Sequence, residues 1–306
     1  MQLCKRTTIG LLLCTLSLGS LPVWAQDSAT AGTLFPRQYK AGERYWYRLT
    51  TEQRYNGVWN STSVVEMELT VMRDSAGRLY DEVRHISKLV YTPKDTTRMD
   101  AEAQSVKPYR ISLHPQGSMA IPPIEVAGMT GPITDFITFF VAISPQSRVT
   151  TLQRMGDSLQ RKELARGNFA NGKTILVGDD CLSISAYIRE VNHEVVKVQT
   201  RFMPPAVPCI PFLLDNMQEP VTVGVRNNFQ MVQPVGGGKV NLQYGNEWFI
   251  INSTVRRKDG KLVAADMTNE LQLSLRLNCD PTYQHCPTTV PFRIQRYLRL
   301  ELVEVR

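Results

Sequence analysis

Ser63-Val64-Val65-Glu66-Met67-Glu68-Leu69-Thr70-Val71-Met72 sets Val65, Met67, Leu69 and Val71 on one face of an extended chain and Glu66, Glu68 and Thr70 on the other. A period of two over this length means one dry face and one wet face, the habit of antiparallel sheets. The pattern repeats along the chain. Residues 181–189 set Leu182, Ile184, Ala186 and Ile188 against Ser183, Ser185, Tyr187 and Arg189. Residues 195–202 set Val196, Val198 and Phe202 against Lys197, Gln199 and Arg201. Residues 271–277 oppose four leucines to Gln272, Ser274 and Arg276. Near the C-terminus Leu298, Leu300 and Leu302 share a face before Val303 and Val305 take the other register, which predicts a bulge.

Turn dipeptides punctuate these runs. Asn56-Gly57, Asn171-Gly172 and Asp259-Gly260 readily adopt the positive φ of tight hairpins, and Asp74-Ser75-Ala76-Gly77 makes another reversal. Strand, Asn-Gly, strand, turn, strand over 44–92 parallels strand, Asp-Gly, strand, cysteine loop, strand over 246–305, as a duplicated meander would. The expectation is an all-β, mainly antiparallel fold: a barrel, half-barrel or sandwich with one or two short helices packed on it.

One segment breaks the pattern. Pro132 suits the first turn of a helix, Ser144-Pro145 ends it, and 132–143 reads as helical. Ile133, Phe136, Ile137 and Phe140 form one stripe at spacing i, i+3, i+4, i+7, while Phe139, Val141 and Ile143 fall on other faces. The helix is therefore apolar nearly all round, with Asp135 near its positive end. Twelve residues make about 18 Å, too short for a bilayer of about 30 Å. Such a helix is a core element, a lid over an apolar cavity, or a docking element. Phe136, Phe139 and Phe140 are the candidate ligand-binding residues. A second, polar helix is expected within 147–165.

The N-terminus reads as a signal peptide over 1–25. Lys5 and Arg6 precede the apolar core Ile9–Leu18, and Val23-Trp24-Ala25 offers a cleavage site before Gln26. The expected product is exported, periplasmic or extracellular, with a flexible segment over 26–40 and a β-rich region over 41–306 that admits two lobes, 41–146 and 166–306. Removing 1–25 leaves four cysteines: Cys181, Cys209, Cys279 and Cys286. An even count in an exported chain points to disulfides, and of three connectivities the local pairs Cys279–Cys286 and Cys181–Cys209 are favoured.

Composition, 42% hydrophobic and 21% charged, suits a globular protein with a real core. The formal net charge is +7, reduced by two when Lys5 and Arg6 leave, and basic residues such as Arg293, Arg296 and Arg299 scatter over polar strand faces. A nucleic-acid partner would need a denser patch. No span is expected in the mature chain. An outer-membrane barrel is disfavoured as well, since Arg293, Gln295, Arg299 and Glu301 would have to face its lumen.

Signatures of chemistry are missing. Gly236-Gly237-Gly238-Lys239 lacks the first glycine and the hydroxyl residue of a phosphate loop, and reads as a reversal between strands. There is no G-x-S-x-G, S-x-x-K or H-E-x-x-H. The four histidines, His85, His114, His193 and His285, show no metal-binding spacing, so no metal or cofactor is expected. His85 shares parity with Val83 and reads as a core or rim residue. Long amphipathic strands plus one apolar helix in an exported chain resemble the periplasmic lipoprotein-carrier class of incomplete barrels, a likeness of pattern that transfers no residue. The leading expectation is a non-catalytic envelope protein binding a hydrophobic small molecule, a lipid or an envelope protein. The alternatives are a surface-assembly β protein and, behind it, a hydrolase of envelope polymers.

Overall fold

The computed structural model describes residues 34–119, 121–145, 149–163, 167–168, 174–175, 182–204, 229–282 and 285–305. Its strands are β1 (Arg44–Tyr55), β2 (Val58–Arg73), β3 (Leu79–Tyr91), β4 (Thr96–Arg98), β5 (Tyr109–Ile111), β6 (Ser158–Glu163), β7 (Gly167–Asn168), β8 (Thr174–Ile175), β9 (Leu182–Val191), β10 (Val195–Met203), β11 (Phe229–Gly236), β12 (Lys239–Arg256), β13 (Leu262–Cys279) and β14 (Thr288–Val305). Two helices interrupt them, α1 (Asp100–Gln104) and α2 (Thr130–Val141).

Twelve strands form one open antiparallel sheet in the order β4-β3-β2-β1-β14-β13-β12-β10-β9-β6, with β5 on β3 and β11 on β12. The all-β antiparallel expectation holds, and the sheet is open: its end strands β4 and β6 do not pair with each other. Its centre is two three-stranded meanders, β1–β3 and β12–β14, joined where the first strand pairs with the last. Asn56 and Gly57 make the β1–β2 hairpin with φ of 50° and 84°, as a two-residue turn demands. The bulge near the C-terminus falls where the sequence places it. Tyr47 pairs with Leu302 and Trp46 with Glu304, so Val303 is skipped and lies exposed.

The expected polar helix within 147–165 is corrected. A short 3-10 turn, Val149–Thr151, precedes strand β6, which pairs with β9. Leu159 packs on the core from this strand, so period two wins over helical propensity once a sheet edge is there to pair with. The second helix is α1, which crosses β3. Residues 34–40, the end of the expected flexible segment, are docked. Phe35 is buried, and Gln38 N donates to Asp259 O at 2.9 Å.

Cross-strand pairing arranges the inner face of the sheet in rows. We call the end carrying the Asn56-Gly57 turn the upper end, and the end carrying the 257–261 turn the lower. Val198, Ser253, Ala265, Leu300, Leu49 and Val65 make one row of the lower half. Helix α2 lies on this half, so one core runs from β2 and β3 round to β9 and β10. The outer face carries the charged partners of the alternation, such as Arg48–Glu66 at 2.9 Å.

Candidate functional site

Helix α2 begins at Thr130 and seats its aromatic stripe on β1. Phe136 and Phe140 meet the Tyr47 ring edge-on at 5.8 and 5.6 Å, and each other at 4.9 Å. Ile133, Phe136, Ile137, Phe139 and Phe140 are all buried, as a helix apolar on every side requires. The three candidate phenylalanines therefore come together beneath the protein surface. At the far end Thr200 Oγ1 donates to Ala142 O at 3.1 Å, tying the helix to β10.

Above α2 the inner face changes character. The next row is Phe249, Asn269, Arg296, Gln53 and Ser61, polar in four of five positions. Arg296 reaches down from β14 and donates to Asp135 of α2, and its other nitrogen lies 3.4 Å from Asn269 Oδ1. Asn269 Nδ2 donates to Glu247 Oε1 at 2.9 Å and to Trp248 O at 3.1 Å. Burial pushes the Asp135 carboxyl up despite Arg296. Burial also raises Glu247, with Asp135 adding to the rise and Asn269 and Arg296 opposing it.

Higher still the face is apolar again: Leu271, Ile294 and Tyr55 beside Glu247, then Leu273 and Phe292 beside Gly245. A Cβ on Gly245 would sit 2.1 Å from Gln272 O, so glycine lets the two strands close up here. The Tyr55 and Phe292 rings meet tilted, with centres 5.2 Å apart, and both, like Ile294 and Phe249, are only half-buried.

One residue that matters departs from the sequence expectation. Arg296 does not lie with Arg293 and Arg299 on the polar face; it shares parity with Leu298 and Leu300 and points inward. An arginine in register with a leucine stripe is the signal that could have found it. Asn269, in register with Leu271 and Leu273, is its partner.

A second ionic cluster closes the lower end. Arg37 Nη2 lies 3.3 Å from Tyr45 Oη, 3.7 Å from Asp81 and 3.8 Å from Glu43, and its guanidinium stacks over Tyr39 at 4.2 Å. Tyr45 donates to Asp81. Lys261 Nζ reaches Glu43 at 2.5 Å and Asp259 at 3.9 Å. Four residues along β3 from Asp81, His85 is buried, with Nε2 at 3.3 Å from Tyr109 Oη, and burial pushes its pKa down to about 4.

Cys279 and Cys286 are disulfide-bonded, and the pair packs with Val232, Val240, Leu242 and Tyr244 into a small second core at the upper end. Cys181 and Cys209 lie outside the described residues. Among the described residues no three His, Cys, Asp or Glu side chains assemble as a metal site, and no helix is long and apolar enough to cross a membrane.

No family model and no curated protein matches the chain. Among solved structures it is similar to lipovitellin, in a structure described as showing lipid–protein interactions, at 8% identity and a TM-score of 0.41. The match covers 88% of this chain and 26% of that one, so the chain spans about a quarter of that protein's length.

Proposed function

We propose that this is an exported, non-catalytic binding protein that holds a hydrophobic small molecule or lipid against the upper part of its inner face. One observation carries the reading. The inner face is apolar at both ends, but among the described residues α2 packs on the lower half, leaving Tyr55, Phe292 and Ile294 half-buried above it. Apolar surface of that kind, next to a few convergent polar groups, is the usual make-up of a small-molecule site. Helix α2, with Phe136, Phe139 and Phe140, supplies the floor.

Two other readings fare worse on specific grounds. Assembly through sheet edges would use β4 and β6. The first is three exposed residues long, and the second has the charged sequence Arg161-Lys162-Glu163, both ordinary protections against edge pairing. A hydrolase would use Asp135 and Glu247, but burial moves both carboxyls in the same direction, whereas an acid and a base need their affinities for the proton pushed apart.

Native mass spectrometry of the mature protein, with Nile red uptake as a second readout, tests the reading. A co-purifying molecule or saturable dye binding that Ile294→Asp abolishes is expected; neither a bound molecule nor dye uptake would overturn it. The export part is checked by N-terminal peptide mapping, which should find Gln26 or its cyclised form.

A further inference from the structure

On the outer face of the sheet Arg48, Arg54, Arg84, Arg293 and Arg299 each have a glutamate partner, 2.7 to 3.7 Å away, on a neighbouring strand or two residues along their own. Two other arginines of that face are held differently. Arg201 of β10 has Gln199 two residues along, and its Nε donates to Gln199 Oε1 at 2.8 Å. Arg189 of β9 reaches the same oxygen from the next strand, with Nη2 donating at 2.5 Å. Neither makes an ion pair with a carboxylate among the described residues. Glu190, next to Arg189 in the chain, is taken by Lys197 at 2.6 Å.

The arrangement is built rather than loose. Gln199 Nε2 donates to Asn252 Oδ1 at 2.8 Å, which turns the amide oxygen toward the two arginines. Both guanidiniums also lie against the Tyr187 ring, 4.9 and 5.2 Å from its centre. A bulge sets the positions: Lys197 pairs with Glu190 and Val198 with Ile188, so Arg189 is the extra residue. Such bulges re-aim a side chain, and this one lets Lys197 take the glutamate while Arg189 turns to Gln199. Two like charges side by side repel, and a neutral amide oxygen offsets less of that than a carboxylate would.

We propose that Arg189 and Arg201 form a subsite for a phosphate group, with Gln199 and Tyr187 as positioning residues. Each guanidinium uses one N–H on Gln199 and keeps the rest of its fork. Two forks side by side match a tetrahedral group with three free oxygens, whereas the two oxygens of a carboxylate are satisfied by one fork. The subsite lies on the face opposite α2, so it stands or falls separately from the ligand-binding reading above.

The test is titration calorimetry of the mature protein at pH 7 and constant ionic strength, with sodium phosphate and with sodium acetate. Co-sedimentation with vesicles of phosphatidylcholine, alone or mixed with phosphatidic acid, is the second arm. Saturable phosphate binding is expected, weakened at least about tenfold by Arg201→Gln and by Gln199→Glu. Gln199→Glu is the sharper variant, because it keeps both arginines and supplies the carboxylate that their neighbours have. Arg84→Gln removes an equal charge from the same face and should change nothing. Sedimentation with phosphatidic acid that Gln199→Glu abolishes would assign the phosphate to a lipid head group; phosphate binding without sedimentation would assign it to a soluble ligand. Binding to neither, acetate bound as tightly as phosphate, or an equal loss in Arg84→Gln would overturn the subsite.

Discussion

The two halves of the inner face are built from the same strands with the same alternation, yet they end in different states. In the lower half α2 lies on the sheet, and side chains such as Leu49, Val65 and Leu300 are fully buried. In the upper half the alternation continues through Ile294 and Phe292, no helix among the described residues covers it, and those side chains stay half-buried. Period two makes a face apolar. What covers that face is decided elsewhere in the chain, and here the cover is twelve residues between β5 and β6. The boundary between the halves is the polar row of Arg296 and Asn269, where the helix stops being available and charge takes its place.

The largest expected effect breaks the comparison at its closed side. Phe136→Ala or Phe140→Ala removes a fully buried ring packed on Tyr47 and should cost about 3–5 kcal/mol in urea unfolding. Phe292→Ala in the upper half should cost only about 1–2 kcal/mol, because its ring is half-buried. Equal losses would mean that the two halves are one continuous core.

At the boundary, Arg296→Met strands Asp135 and should cost about 2–4 kcal/mol, reduced from the fully buried case because Arg296 is partly exposed. Joining it to Asp135→Leu should recover most of that loss, since an apolar pair of similar volume replaces the ions. A double variant as unstable as the single one would show that the pair does more than neutralise itself.

Acid reads the lower half through His85. Its folded pKa of about 4 lies below the ordinary 6.5, so the unfolded chain takes up the proton first. Stability from this residue is complete above about pH 6.5 and falls by on the order of 3 kcal/mol as pH drops to about 4, where the loss levels off. Asp81, Asp135 and Glu247, all raised by burial, act in the opposite sense over acid pH, because the folded state takes the proton first. His85→Gln should therefore lose less stability on acidification than the wild type, measured as urea midpoints from about pH 7 to pH 4. Identical pH profiles would place His85 in contact with water.

A further loss is expected at the upper end. The Cys279–Cys286 bridge closes a short loop, and replacing both cysteines by serine should cost about 2.5 kcal/mol by the chain-entropy relation. Hydrogen exchange should show the loosening around Leu242 and Tyr244, with α2 unchanged.

Much of this is legible in the residues. Alternation at 63–72, 195–202 and 271–277 marks strands and their faces, Asn56-Gly57 marks a hairpin, and the shift after Leu302 marks a bulge. Helix α2 is readable because its apolar spacing cannot be a strand's. What cannot be read depends on partners distant in sequence. The 147–165 segment yields a strand because β9 is there to pair with, and Arg296 turns inward because Asp135 waits across the core. Parity alone places Arg296 correctly; treating every arginine as a surface residue hides it. The charge balance of Asp135, Glu247 and Arg296 joins three segments that no local pattern connects.

The pairing of β1 with β14, Tyr45 opposite Val305, has a kinetic consequence. Each meander can zip from its own turns, but the seam that unites them joins the first strand of the sheet to the last. That contact has close to the largest sequence separation the chain allows, and such contacts pay their loop-closure entropy before they gain anything. Until the final strand arrives, β1 and β13 each present an unpaired edge in what will be the middle of the sheet. The two meanders thus stay unjoined until the C-terminal strand is in place between them.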